Sequence, residues 1–447
     1  MKIFNKSSKS LPYARALVLG VLLFAFSFMG CETLDFSNPN SPDLTSADVQ
    51  TLVTGAEGFM RADLDVYLQS VGTLGREVYF FEPADPRFTG ELLFGPIDPG
   101  GFLSTRPWDQ AYRVTFNCNE LIKRAADIGG SEGAGVEGVA KTIRAYQLLL
   151  ILGYVDEDAQ GRSIRTNFDG DVSKPFATKS AAFAFIANDL DEAFAALNNA
   201  GSAFSFKLSS GFAGFDTPSG FAKFNRALKA RLEVYRDNFS DALTALGQSF
   251  LDPSGDLLTG VYYVYSTAAN DRLSPVFENP DSPGLKLHAH MSFAADAEAG
   301  DLRLANKTFK RVVADKFDDL ESDLAVILNF EPGSTYSSTS KFPMIRNEEL
   351  ILLRAEANVG LGNYAAAEAD MNIVRAAAGL APYSGTDASN ALDRVLHEKR
   401  YSLFGEGHRW IDMRHYNRLA QLPIDRPDRN DKQIPRMEIP ETEFKEN

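Results

Sequence analysis

The chain has 447 residues, 44% of them hydrophobic, enough to bury a large core in one big domain or in two or three average ones. Its formal net charge of -15 argues against nucleic acid or an anionic membrane surface as a partner.

Residues 1–30 read as an export signal. Lys2, Lys6, Lys9 and Arg15 form a basic start without an acidic residue, and residues 16–29 are an apolar run too short to span a bilayer. Beyond these four, 41 of the 45 basic residues face 60 acidic ones, so the remainder carries -19. The run ends in Phe28-Met29-Gly30-Cys31, which resembles the bacterial lipobox, where the cysteine is acylated and becomes the mature N-terminus. A plain secretory signal beside a chance cysteine is the alternative. With Cys31 modified, Cys118 has no partner, and neither a disulfide framework nor a cysteine-based zinc site can form. Cys118 then reads as a small apolar residue on a helix. Residues 31–46, rich in Asn, Pro and Ser, read as a flexible tether.

Ser46 is the expected N-cap of a first helix whose apolar face is Val49, Leu52, Val53, Ala56, Phe59 and Met60. Residues 78–101, with Tyr79, Phe80 and Phe81 among prolines and glycines, read as an irregular loop with exposed aromatics. A helix follows over 108–126, then a Gly-rich turn at 129–138 and a strongly apolar helix over 139–154. The triplet Asp156-Glu157-Asp158 lacks the spacing of an EF-hand loop and reads as a solvated loop rather than a calcium site. Residues 180–199 form an amphipathic pattern, and 200–220 are loop-like.

The stretch 346–379 predicts two helices joined at Gly360 and Gly362. Leu350, Leu353, Ala357 and Leu361 mark the first, and Tyr364, Ala367, Met371 and Val374 the second. Ala355, Asn363-Tyr364 and Ala367 have counterparts at the same spacing in Ala230, Asn238-Phe239 and Ala242. Small residues at a helix crossing and an aromatic opening the second helix match part of the tetratricopeptide pattern; two ordinary helical hairpins are the competing reading. Residues 251–345 change character, with a short strand at 261–265 and His288-x-His290 alternating like a strand. No third ligand accompanies that pair, which reads as surface or packing. After Tyr416 the chain reads as an extended polar tail.

Several of these features together resemble the SusD/RagB family. They are Cys31, the N-P-N-S-P tether, Trp108-x-x-x-Tyr112 with Asn119, the A-E-A-x(4)-G stretch from Ala355, and A-G-L at 378–380. The block E-K-R-Y-S-L-F-G-E-G-H-R-W-I-D-M-R from Glu398 and the late I-P-x-x-E-I-P complete the set. Lys399 stands where the family more often has Arg, and Ser402 where Glu is usual. The resemblance implies a mainly all-α fold of tetratricopeptide-like helix pairs, with long irregular loops and a few short strands. Residues 47–250 and 251–447 would be two parts of one globular unit. It implies a lipoprotein anchored at Cys31 on the outer face of the Gram-negative outer membrane. Such proteins bind an oligosaccharide or other nutrient and cap a SusC-like TonB-dependent transporter, without enzyme activity, cofactor or metal.

The charged block has its own logic. Glu398, Arg400, Glu406, Arg409 and Asp412 lie among Leu403, Phe404, Trp410 and Ile411, and charges buried in apolar sequence must be paired. Arg409 and Asp412 stand at i, i+3, and a structural ion-pair network is the reading. A glycoside hydrolase needs two positioned carboxylates, and no pair stands out among the 60 acidic residues. A protein-docking tetratricopeptide scaffold is the other rival, but a cytosolic scaffold would lack the export signal. Aromatic rings stack on sugar faces and flanking polar groups bind hydroxyls, which nominates Tyr79, Arg87, Tyr262, Tyr265 and Arg272; aromatics packed under long loops are the competing reading for each.

Overall fold

The computed structural model describes residues 47–168, 174–331 and 333–444. The export signal and the whole tether, with Cys31 and Ser46, lie outside them. From Asp48 onward the chain is one unit.

Helix α1 (Val49–Met60) is capped by Asp48 rather than Ser46: the Asp48 carboxylate accepts from the Thr51 amide at 2.7 Å. Helix α2 (Leu64–Leu74) leads into strand β1 (Val78–Phe80), so the segment read as a loop begins as part of a sheet. Its aromatics are buried, not exposed. A short helix α3 (Glu91–Phe94) follows.

Helix α4 (Phe102–Ile128) contains Pro107, which cannot donate to the carbonyl of Leu103 four residues back. The Tyr154 hydroxyl takes that place, donating to the Leu103 carbonyl at 2.7 Å. The Gly-rich segment is not a turn. Helix α5 (Gly130–Val155) starts there, and a Cβ at Gly138 would lie 2.5 Å from Leu197 Cγ, so glycine permits the close approach of α6 (Lys179–Asn198). The acidic triplet is structural rather than merely solvated. Asp156 pairs with Lys179 and Arg414, and buried Asp158 accepts from the amides of Gln160 and Arg162, each at 2.9 Å.

Both expected hairpins are present. One is α7 (Pro218–Tyr235) with α8 (Phe239–Gly247), the other α11 (Asn347–Gly360) with α12 (Tyr364–Ala377). Ala230, Ala242, Ala355 and Ala367 are all fully buried. The helices stack as successive neighbours, α1 on α4, then α4 through α8 in order, then α8 on α11, α11 on α12, and α12 on α13 (Ala391–Ser402). Each face covers the apolar stripe of the next. Buried ion pairs tie the layers. Arg144 grips Asp189 with two contacts at 2.6 and 2.7 Å between α5 and α6. Arg231 grips Glu349 at 2.6 and 2.7 Å between α7 and α11. This is a mainly helical architecture.

The segment 251–345 holds two short helices, α9 (Met291–Ala295) and α10 (Leu302–Lys307), and more strand than its sequence suggests. Strands β1, β3 (Leu287–Ala289), β5 (Leu320–Val326) and β4 (Thr308–Phe317) form an antiparallel sheet in that order, with Tyr79 opposite His288. Strand β2 (Gly260–Tyr263) pairs with β6 (Phe342–Arg346), which runs straight into α11. The histidines of β3 pack inside: His288 Nε2 lies 2.8 Å from Asp315, and His290 Nε2 lies 2.9 Å from Asp425. The tail after Tyr416 is extended but not free. Its Leu422, Ile434, Met437 and Ile439 are buried, and the Met437 amide donates to the Tyr154 carbonyl at 3.0 Å. Among the described residues, no helix is long and apolar enough to cross a membrane.

Candidate functional site

A cleft of about 300 Å³ opens between three walls. The C-terminal half of α1 and the residue that follows it supply Thr54, Glu57, Gly58 and Arg61; the segment before α7 supplies Ser209, Ser210 and Phe212; strand β2 and the loop after it supply Tyr262, Tyr265, Ser266 and Asp271. Its size falls at the low end of ligand pockets, which span roughly 300–1,000 Å³.

The walls are pinned by polar contacts. Gln50 on α1 exchanges two hydrogen bonds with the backbone of Lys207, and the Ser209 amide donates to both Glu57 oxygens at 3.2 and 3.1 Å. Arg61 bridges to the third wall: its Nη1 donates to the Val264 carbonyl at 2.6 Å and to Asp271 Oδ1 at 2.7 Å. Asp271 shapes the rim, accepting from the Ser266 hydroxyl at 2.6 Å while the Ser266 amide donates to the Arg272 carbonyl at 3.2 Å.

Electrostatics differ between the two carboxylates. Burial raises the Glu57 carboxyl above its usual range, and the Ser209 hydrogen bonds and Arg61 only partly offset this. Burial also pushes on Asp271, but there the bonds from Ser266, the Arg272 backbone and Arg61 prevail and the group is held low. Two polar atoms in the lining are buried without a hydrogen-bond partner, the Tyr265 hydroxyl and Arg61 Nε. Tyr265 is only 6% exposed. An unpaired buried hydroxyl or N–H costs about 1–3 kcal/mol, so both atoms favour an incoming partner.

The structure brings Tyr262 and Tyr265 together in this lining. The Tyr262 hydroxyl is committed to the Leu258 carbonyl, and its ring lies under Lys341 Nζ at 4.3 Å. Arg272 is exposed on the rim loop. Tyr79 and Arg87 do not line the cleft. Tyr79 is buried in β1 against Phe81 and His290, and Arg87 pairs with its neighbour Asp85 at 2.6 Å while stacking over Phe102. Glu57, Arg61, Ser209 and Asp271 carried no visible signal. Only the i, i+4 spacing of Glu57 and Arg61 puts those two on one helix face, and Asp271 meets Arg61 across 210 residues.

The charged block is a second, closed site. Lys399 Nζ lies 2.8 Å from Glu356 and 2.7 Å from Asp412, all buried. Glu398 accepts from Arg303 at 2.6 Å and Arg375 at 2.7 Å, Arg400 pairs with Asp296, and Glu406 with Arg346. Arg409 does not pair with Asp412. Helix α14 (Arg409–His415) turns the guanidinium to the Gly75 carbonyl at 3.0 Å, and Lys399 claims Asp412 instead. Burial, with Arg400 nearby, lowers the Arg409 guanidinium to about 10. The indole of Trp410, fully buried, donates to the Ile434 carbonyl at 2.9 Å and lies under Arg414 at 4.5 Å. The buried acids of this block, Glu398, Glu406 and Asp412, are each paired with an arginine or lysine, as buried carboxylates require.

The SusD family model matches residues 306–445, which include α11 to α14 and the charged block. Solved structures match the fold over most of the chain. Surface glycan-binding protein A from Bacteroides thetaiotaomicron, in complex with laminarihexaose, matches with a TM-score of 0.67 at 15% identity, over 89% of this chain and 96% of that one. A SusD superfamily protein from Bacteroides vulgatus gives 0.63 at 15% identity, over 90% and 96%. A laminarin-binding SusD-like protein gives 0.62 at 17% identity, over 89% and 96%. No curated protein sequence matches the chain. Residues 306–445 therefore match the SusD family, and the chain as a whole shares the fold of SusD-like proteins.

Proposed function

We propose that this chain is a non-catalytic glycan-binding protein that takes its ligand into the cleft between α1, residues 209–212 and residues 262–271. The observation that carries the reading is the pair of buried, unpartnered polar atoms, Tyr265 Oη and Arg61 Nε, in a cleft of ligand size. Sugar hydroxyls donate and accept at once, which suits a lining of carboxylates, hydroxyls and one free N–H. Two proteins of the same fold, named as binding laminarihexaose and laminarin, support a glycan as the ligand. Arg272 on the rim loop belongs to this reading as an outer contact.

The same proposal places the protein on the outer membrane surface, acylated at Cys31 and delivering its ligand to a SusC-like TonB-dependent transporter. The lipobox-like Phe28-Met29-Gly30-Cys31 and the tether behind it support this. A single fatty chain binds membranes only marginally, each buried CH₂ contributing about 0.8 kcal/mol, so a multiply acylated cysteine gives a lasting anchor.

Gly58 offers the test of the cleft. A Cβ built there meets nothing within 4 Å and Gly58 lines the cleft, so Gly58→Trp is expected to fill the cleft and keep the fold. Calorimetric titration with soluble oligosaccharides is expected to show binding by the wild type, without release of products, and none by Gly58→Trp at equal melting temperature. Unchanged binding by the variant removes the cleft from the reading, and product release removes the non-catalytic role.

A further inference from the structure

We infer that Glu57 sets the charge class of the ligand: the cleft selects neutral, hydroxyl-donating sugars and rejects uronic acids and sulfated sugars. The inference rests on the cleft being the binding site, as proposed above.

The lining holds two carboxylates, Glu57 and Asp271, and one cation, Arg61. That cation is already spent, with Nη1 shared between Asp271 and the Val264 carbonyl. Glu57 makes no ion pair within 4 Å among the described residues, and Arg61 acts on it only from a distance. Its donor is Ser209, whose amide lies 3.1–3.2 Å from the two carboxylate oxygens. An ionised carboxylate has roughly four lone-pair sites and accepts only, so Glu57 keeps vacant sites that nothing but a donor can fill.

A sugar hydroxyl fits this lining in both directions. It donates to Glu57 and accepts from Arg61 Nε or the Tyr265 hydroxyl, neither of which has a partner. A uronate or sulfate group accepts only. It can use Arg61 Nε and Tyr265, but it brings a second negative charge close to Glu57; the one cation of the lining is held by Asp271, which leaves only Arg272 on the rim loop to set against that repulsion. Like charges held together in a partly desolvated site repel far more than in water. The same geometry makes Glu57→Gln informative, because the amide oxygen still accepts from Ser209 while the charge is gone.

The test uses the full mature chain in detergent and a panel of hexasaccharides built from neutral glucose, xylose and mannose, with uronate hexasaccharides as the charged arm. Titration at pH 7 is run on the wild type, Gly58→Trp and Glu57→Gln. The expected result is binding of at least one neutral hexasaccharide, lost in Gly58→Trp, with uronates at least tenfold weaker. Glu57→Gln is expected to weaken the neutral ligand about tenfold and to narrow the gap to the uronates. A uronate that binds the wild type as tightly as any neutral sugar, and is lost in Gly58→Trp, overturns the charge-class inference and leaves the cleft standing. Ligand binding that Gly58→Trp leaves intact, or a panel in which nothing binds, overturns both.

Discussion

Gly360 and Phe239 touch so closely that the glycine cannot be replaced without moving the ring: a Cβ at Gly360 would lie 2.2 Å from Phe239 Cε2 and 2.3 Å from Cδ2. Phe239 opens the second helix of the first hairpin, and Gly360 closes the first helix of the second. This contact is where the two tetratricopeptide-like units stack.

Gly360→Ala should therefore destabilise the fold. Overpacking costs about 1–3 kcal/mol, against a gain of about 0.5–1 kcal/mol for removing glycine from a helix. Urea denaturation of Gly360→Ala, Phe239→Ala and the double variant measures it. The double variant should lose less than the sum of the singles, because removing the ring makes room for the methyl group. Strict additivity would mean the two residues do not meet.

The hairpins were legible in the sequence because their periodicity and small residues are local: Ala355 and Ala367 lie within one hairpin, and their copies repeat at the same spacing. The stacking of one hairpin on the other was not. It depends on a ring and a glycine more than a hundred positions apart. The sheet was legible only in part: His288-x-His290 alternates like a strand, but β1 has three residues, too few for alternation to stand out, and its register of Tyr79 with His288 joins distant parts of the chain. The cleft was half legible. Tyr262 and Tyr265 drew notice as aromatics, whereas Glu57 and Arg61 look like ordinary polar positions on an amphipathic helix.

Lys399 is the one cation between Glu356 and Asp412, and its removal strands two buried carboxylates. Lys399→Met should cost about 3–5 kcal/mol at pH 7, as breaking a buried pair from one side does. The sign with pH follows from Asp412. Burial raises its carboxyl even with Lys399 present, and Glu356 adds to the rise. A carboxyl raised in the folded state binds its proton more tightly there than in the unfolded chain, so stability falls as pH rises through the raised range. Without Lys399 the rise is larger. Denaturation midpoints at pH 5 and pH 8 should show a smaller deficit at pH 5, and an equal deficit at both would mean the carboxylates are not stranded.

Trp410 anchors the tail as well as the core. Trp410→Ala removes a fully buried indole and leaves the Ile434 carbonyl without its donor, so a loss of about 3–5 kcal/mol is expected. Limited proteolysis should then cut between residues 417 and 444 in the variant and spare them in the wild type. A variant that melts normally but fails to bind ligand would instead make the charged block part of the site.

The last prediction concerns pH at the cleft. Burial is the main reason the Glu57 carboxyl sits above its ordinary value, with Ser209 and Arg61 pulling weakly the other way. A ligand that donates hydroxyls to Glu57 binds the ionised form. Affinity should therefore fall as pH drops through the raised range, starting above the roughly 4.3 of an unperturbed glutamate. Stability moves in the opposite sense for this group. Its raised folded value means that protonation favours the fold, so weaker binding at low pH is not a sign of unfolding at this site. Titration of a neutral oligosaccharide between pH 4.5 and 8, alongside melting curves, separates the two. Glu57→Gln should flatten the binding profile across that range. A wild-type profile that is already flat, or one that the substitution leaves sloping, would show that Glu57 does not touch the ligand.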